Sequence, residues 1–404
     1  MTDNTKLNSN FLIIENADQE IEMLCMIRAK KIYGEPLSPI IAERLNTELS
    51  IIKQSVGASA YLIAHKLVKK SNEAGYMVGS SGMSVSSLVS YLLGITEFDP
   101  LEYNLPFEVF LGLNGEKRPD FDLHFAPEQQ EEIVKYLISL FGEGRVVRAG
   151  ANRVCCTTGE KFYGANPGKY FISPNKKRIE DFTSVISVGQ EPHTVLVTQA
   201  PSHELEQTLL DVGILPLDGL TIINKLETIT GVSAKVIPLD DEKTLSLFRN
   251  ADTEGIPRFD EELIRNIIKE VKPKTFEDFV KISGLSLSSN LWLENAKMLI
   301  EHGVASFHEV IAHRDEVMIN LVEKGVSREE AYAIMERVRS GRGLSPEEES
   351  LMCNVGVPSW YIASCKKIEY LFPKGHSLTF TMMAFRIGWY KAHYSDVFEK
   401  VMRE

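Results

Sequence analysis

The sequence predicts an α+β half followed by an all-helical half, and three observations predict it. Between residues 58 and 125, helical spacing of apolar positions gives way to short β-rich runs separated by a Gly/Ser loop and an Asn-Gly turn. Residues 145–197 continue with short strand-like runs between loops rich in Gly, Pro and Asn. From Lys243 onward the apolar positions recur at helical spacing, broken at Gly255-Ile256-Pro257, Lys272-Pro273, Gly303, Gly325, Gly341 to Gly343, Pro358 and Pro373.

Taken in order, residues 1–20 are polar and expected to fray, while 21–31 and 40–53 have helical spacing. Ser38 before Pro39 suits an N-cap followed by proline in the first turn. Residues 58–74 predict a helix ended by Gly75, residues 76–79 a short strand, and residues 86–93 a helix after the Gly/Ser loop. Residues 107–113 and 121–125 read as strands of a hairpin around Asn114-Gly115. Residues 128–141, 205–210 and 221–228 read as helices.

A chain of 404 residues with 44 % hydrophobic composition can bury a substantial core and divide into two or three domains. The expected divisions are 1–26, an N-terminal tail and first helix; 27–230, the mixed domain; and 231–404, the helical domain. The longest apolar runs are too short to cross a membrane, and the N-terminus lacks a signal peptide's basic start and apolar core, so a soluble cytoplasmic protein is expected. Five scattered cysteines without a CxxC pair argue against a disulfide framework or zinc ribbon. The net charge of -12 opposes tight autonomous binding to a phosphate backbone.

The most informative stretch is Arg118-Pro119-Asp120-Phe121-Asp122-Leu123-His124-Phe125. On a strand, Asp120 and Asp122 share a face and can jointly hold a divalent metal, as two-metal phosphoryl transfer requires. Taken alone, Asp-x-Asp is more often a solvated strand end. Gly79-Ser80-Ser81-Gly82-Met83-Ser84 sits between a strand and a helix, where backbone N–H groups suit a phosphate, although a generic turn has the same composition. His65, Lys66, Lys69 and Lys70 form a basic cluster best read as a solvated helix face.

Several segments together resemble the PolC-type bacterial DNA polymerase III alpha subunit, in that family's order. They are AHKLVKKSNEAGYMVGSSGMSVSSLVS (64–90), PFEVFLGLNGEKRPDFDLHF (106–125), KPKTFEDFVKISGLS (272–286) and SCKKIEYLFPKGHSLTFTMMAFRIGWYKAHY (364–394). The resemblance covers most of residues 27–404. It implies a mixed-sheet polymerase-like palm followed by helical fingers, with Asp120 and Asp122 as catalytic metal ligands. It further implies that Gly79, Ser80, Gly82, Lys374, His376 and Arg386 line a nucleotide, and that Mg²⁺, DNA, a deoxynucleoside triphosphate or a replisome protein is bound.

The chain also departs from that pattern. Ser81 stands where the family has arginine, Val85 where it has glycine, and Glu262 where it has another arginine, with Arg258 and Arg265 near enough to compensate. An ungapped alignment places Pro201 at the family's third metal-binding acid, leaving Asp211, Glu204 and Glu206 as substitutes of low rank. Only six residues, 151–156, stand where the family inserts its thumb, and a zinc-binding insertion is missing before Pro106. Clamp-binding, duplex-gripping and exonuclease regions fall outside the resemblance. The expectation is a replication-associated palm-and-fingers protein that binds nucleotide, DNA or a replisome partner weakly, with nucleotidyl transfer impaired or lost. The competing expectation is an active minimal DNA polymerase using two Mg²⁺ ions.

Overall fold

In the computed structural model, the described residues are 12–55, 57–154, 161–188, 195–200, 202–288 and 290–403. They divide into two compact units, residues 1–80, 87–99 and 114–220 in the first and 81–86, 100–113 and 221–404 in the second. The first is built on a seven-stranded mixed sheet: β1 (Gly79–Ser81), β2 (Asp122–Phe125), β3 (Val146–Val154), β4 (Lys161–Ile172), β5 (Val185–Val188), β6 (Val195–Thr198) and β7 (Leu210–Pro216). Their order is β1-β2-β7-β4-β3-β6-β5. β2 runs parallel to β7 with Asp122 level with Gly213, and β7 runs antiparallel to β4 with Gly213 level with Lys169.

Alternation along each strand gives the sheet two unlike faces. Leu123, Phe125, Val212 and Ile214 are buried on one face, against the helices Ala58–Glu73 and Pro127–Phe141. Each such side chain contributes about 1.5–3 kcal/mol of burial, and Tyr61 meets Phe121 edge-on at 4.9 Å. The opposite face carries Asp122, Gly213 and Lys169. Further along it, Phe171, Val147, Ala149, Ile179, Leu205 and Leu209 form an apolar cluster that ties down the helix Ser202–Leu205 and the turn after it.

Glu48, on the helix Pro39–Gln54, is fully buried. It accepts from the Leu88 and Val89 N–H groups at 2.9 and 3.0 Å, from Ser87 Oγ at 2.8 Å and from Arg44 Nε at 2.5 Å. A carboxylate thereby satisfies the open N–H groups at the start of the helix Leu88–Leu92.

The second unit is helical. Phe248, Phe259, Phe279 and Phe385 pack ring against ring at its centre. The helix Lys374–His393 buries Met383, Ile387 and Tyr390, while Phe380 is half-buried beneath the Arg258 guanidinium at 5.7 Å. Gly388 is required by close packing, because a Cβ there would lie 2.4 Å from the Phe248 ring.

The α+β palm-like fold followed by a helical fingers-like region is as the sequence predicts, but three local readings are corrected. No hairpin joins residues 107–113 to 121–125: Glu108–Leu111 is a short helix, and β2 pairs with β7, far along the chain. Val109, Phe110 and Leu111 are all fully buried, and an apolar run buried on every side has no period that separates strand from helix. Residues 205–210 are not a helix either, since the helix ends at Leu205 and β7 begins at Leu210. The strand at 76–79 lies later, at Gly79–Ser81. Ser38 and Pro39 do open a helix, with Ser38 extended and Pro39 in the first turn, though the serine hydroxyl makes no capping bond.

Candidate active site

Two neighbouring strands deliver acids to the polar face of the sheet. Asp120 and Asp122, two apart in extended chain, emerge on the same side and are both partly buried. The β2–β7 pairing begins at Asp122 and Gly213, and the Asp211 charge reaches Asp120, just before β2. Gly213 leaves room for this grouping: a Cβ there would lie 2.9 Å from Asp122 Oδ1.

β4 supplies a cation to the same row. Lys169 Nζ lies 2.8 Å from Asp211 Oδ2 and 2.5 Å from Glu206 Oε1. Glu206 is presented by the turn that Leu205 and Leu209 anchor in the apolar cluster. The Arg118 guanidinium donates to the carbonyl oxygens of Glu206 and of Gln207, the latter at 2.6 Å, and so joins that turn to the approach to β2.

The electrostatics follow from burial and crowding. Burial, then the charges of Asp122 and Asp211, push the Asp120 carboxyl up to about 7. Asp122 is raised by burial and by Asp211, with Lys169 opposing. Burial works against the Lys169 charge, but Asp211 and Glu206 hold its ammonium above the usual range. His124, next on the same face, is pushed down to about 4 by burial. Two cations attend these acids, Lys169 in the row and Arg118, whose guanidinium feels Asp211 and Glu206.

Asp120, Asp122 and Asp211 offer the oxygen donors that Mg²⁺ or Mn²⁺ prefers. Among the described residues, however, no three Asp, Glu, His or Cys side chains are gathered tightly enough to hold an ion. Asp211 is engaged with Lys169.

The other candidate residues fall into separate groups. Gly79 and Ser80 belong to β1, the neighbour of β2 in the sheet, and Ser80 is buried. Gly82, Lys374, His376 and Arg386 belong to the second unit. There Gly82, at φ 77°, packs its carbonyl 2.8 Å from where a Cβ on Gly375 would stand, so its turn meets the first turn of the helix Lys374–His393. The Lys374 N–H donates to Asp315 Oδ2 at 2.7 Å, and its Nζ donates to the Tyr103 carbonyl at 3.1 Å. The His376 ring sits between Phe372 and Phe380, at 5.2 and 4.7 Å, and Arg386 is buried.

Glu262 is exposed in the first turn of the helix Glu262–Val271, where a negative charge suits the helix end. Exposed Lys69 and more covered Lys70 reach only loose acidic partners, both at 3.9 Å, as a solvated face would. Pro201 lies outside the described residues, and Glu204 is exposed. The sequence analysis ranked Asp211 low and did not single out Lys169, and the structure brings the two within 2.8 Å. The available signal was a lone acid inside the apolar run 209–214, which a buried strand tolerates only for a reason.

Comparison with known proteins points the same way. The family model described as the bacterial DNA polymerase III alpha NTPase domain matches residues 19–158. The bacterial DNA polymerase III alpha subunit finger domain matches residues 219–354. Among curated relatives, the DNA polymerase III PolC-type of Caldanaerobacter subterraneus subsp. tengcongensis is 36 % identical over 96 % of this chain and 34 % of its own length. Those of Thermotoga maritima and Bacillus subtilis are 35 % and 34 % identical, each over 95 % of this chain and over 34 % and 33 % of their own lengths. The chain spans about a third of the length of these relatives.

Proposed function

Since this chain belongs to the bacterial DNA polymerase III alpha family, of the PolC type, we propose that its first unit is a metal-dependent nucleotidyl-transfer centre acting in DNA replication. Its substrates are a deoxynucleoside triphosphate and a DNA 3′ end. What supports this reading is that Asp211 reaches Lys169, which stands in the same cross-strand row as Asp122 and Gly213. The expectation of lost activity rested on Pro201 together with the missing thumb and zinc-binding insertion and with Ser81 and Glu262, and in this reading Asp211 would serve as the third acid.

In this reading Asp120, Asp122 and Asp211 hold Mg²⁺, which would supply the positive charge that favours attack by a 3′-hydroxyl and release of pyrophosphate. The chain's own residues set the geometry. Gly213 keeps space above β7 for the Asp122 carboxylate, and the helix-backed sheet fixes the spacing between strands. The residues carried over for nucleotide binding are Gly79 and Ser80 in the first unit and, separately, Gly82, Lys374, His376 and Arg386 in the second. Lys374 is tethered to the Tyr103 carbonyl, and the His376 ring is held between two aromatic rings, so both are already oriented.

Ser81 and Glu262 stand where the family's pattern has arginines, so the triphosphate is held by fewer cations and turnover is slow. Association with a primer-template is weak and salt-sensitive, because little positive charge is available in a chain of net charge -12. The test is Mg²⁺- or Mn²⁺-dependent primer extension by the wild-type chain beside Asp120→Ala and Asp211→Ala. Template-directed incorporation abolished by either substitution supports the reading. Nucleotide or DNA binding without incorporation replaces it with a non-catalytic binding module.

A further inference from the structure

We infer that Asp315 and His313 are positioning residues: standing together at the start of one helix, they hold the first turn of another, Lys374–His393, so that Lys374 meets a nucleotide already in place. The inference rests on the reading of Lys374 as a nucleotide contact and adds to it two residues that the sequence motifs did not single out. All the groups involved belong to the second unit.

The first turn of a helix is its least constrained part, because the N–H groups there have no partners inside the helix. The residue before this turn is Pro373, which has no side-chain acceptor to cap it. The open N–H of Lys374 is met instead by Asp315 Oδ2 at 2.7 Å, from the first turn of the helix Arg314–Glu323. The chain on either side is fixed as well. The Arg314 N–H donates to the Phe372 carbonyl at 3.1 Å, and His313 Nε2 meets Ser377 Oγ at 2.9 Å. Residues 313–315 therefore grip residues 372–377 at three points.

The grip is itself firmly held. Asp315 and His313 are both buried, and the other ring nitrogen of His313 faces Glu316, which faces Lys281 in turn. The ring lies so close to the helix Phe276–Ser286 that a Cβ on Gly284 would stand 2.2 Å from Nε2. Among the described residues Asp315 Oδ1 has no hydrogen-bond partner, so this buried carboxylate makes its one direct hydrogen bond to Lys374. At the far end of Lys374 the ammonium donates to the Tyr103 carbonyl at 3.1 Å. An ammonium has three donors, so it can take up a phosphate oxygen without losing that tether. Backbone and side chain of Lys374 are thus both oriented before a ligand arrives, which lowers the ordering cost of binding.

The experiment measures binding of a fluorescent deoxynucleoside triphosphate, mant-dATP, to the full chain in Mg²⁺, with thermal melting of each variant. Asp315→Ala should bind roughly tenfold more weakly, while Asp315→Asn, which keeps an acceptor for the Lys374 N–H, should stay within about threefold of wild type. Ser345→Ala removes the cap of a different helix, Pro346–Asn354, and should lower the melting temperature without changing the affinity. Because Asp315 acts through Lys374, Asp315→Ala should cost little further affinity in a Lys374→Ala background.

Wild-type affinity in a folded Asp315→Ala protein, or losses that simply add in the double variant, overturn the proposal while leaving Lys374 as a nucleotide contact. If Lys374→Ala itself leaves mant-dATP binding unchanged, the nucleotide reading of Lys374 fails and the positioning role falls with it. Should Asp315→Ala not fold, Ser377→Ala and His313→Asn decide. Each removes the second side-chain bond of the grip and should weaken binding about threefold, and unchanged affinity in both overturns the proposal.

Discussion

The acid row of the sheet and the ion cluster of the helical unit both bring charges out of water, yet they balance them differently. In the helical unit, Glu316 faces Lys281 at 3.3 Å and the His313 ring at 3.2 Å, and accepts the Ala312 N–H at 2.9 Å. Burial pushes that carboxyl up, but these partners hold it well below the usual range. The other ring nitrogen of His313 meets Ser377 at 2.9 Å, joining the cluster to the helix Lys374–His393. In the sheet, Asp120 has moved the other way, up to about 7, because burial, Asp122 and Asp211 outweigh Lys169. A balanced cluster holds helices together, whereas the sheet's acids raise one another.

The hardest test of this contrast is to give the helical unit an unbalanced charge. Met383 is buried on the helix Lys374–His393. Met383→Asp should cost about 3–5 kcal/mol, the size expected of an unpaired buried charge, read from chemical denaturation. Stability close to wild type would mean that the helical unit tolerates imbalance as well as the sheet does. Next in size is Glu316→Ala, which leaves Lys281 without its acid. Breaking a buried pair costs 3–5 kcal/mol, and because the carboxylate keeps 28 % exposure the loss here should be smaller, about 2 kcal/mol. A loss under about 0.5 kcal/mol would place the cluster among ordinary surface pairs.

The same contrast explains what the sequence revealed. Helical spacing exposed most helices, and the Asp120–Asp122 pair was visible because two residues on one strand share a face by local geometry alone. Asp211 and Lys169 were not visible as partners, because a parallel register with β2 and an antiparallel one with β4 join residues far apart in the chain, and no local pattern encodes that pairing. The stretch 107–113 failed for a different reason: its apolar residues are buried on every side, which erases the period that separates helix from strand. Glu316 drew no attention either, since an acid in a helical run reads as a solvated face until tertiary packing brings Lys281 to it.

A smaller effect has the opposite sign. Asp120→Asn removes one of the mutually repelling acids, so the metal-free protein should become more stable, by about 1 kcal/mol after allowing for partial exposure. Adding Mn²⁺ should reverse the order, because wild type gains a bound ion that the variant holds poorly. Paired melts in EDTA and in Mn²⁺ measure both. A variant less stable than wild type in EDTA would mean that Asp120 is structurally satisfied, and the contrast with Glu316 would collapse.

The gentlest probe is pH, where the two regions should diverge in sign. Glu316 has a folded-state pKa below its unfolded value near 4.5. Its contribution is therefore fully present above that value and is lost as pH falls below it. Asp120 has a folded-state pKa of about 7 against an unfolded value near 3.8, so the folded state binds the proton more readily across that interval. Its ionisation costs stability as pH rises from about 4 toward 7 and relieves the fold as pH falls. Hydrogen exchange of metal-free protein, followed residue by residue from pH 7 to pH 4, separates the two, once corrected for the intrinsic pH dependence of exchange. Protection near Asp120 and Asp122 should rise or hold as acid is added, while protection around His313, Glu316 and Ser377 should begin to fall near the acid end. Parallel loss in both regions would show that the carboxylates of the sheet are as well paired as Glu316. The surplus of negative charge on which the proposed metal site rests would then be absent.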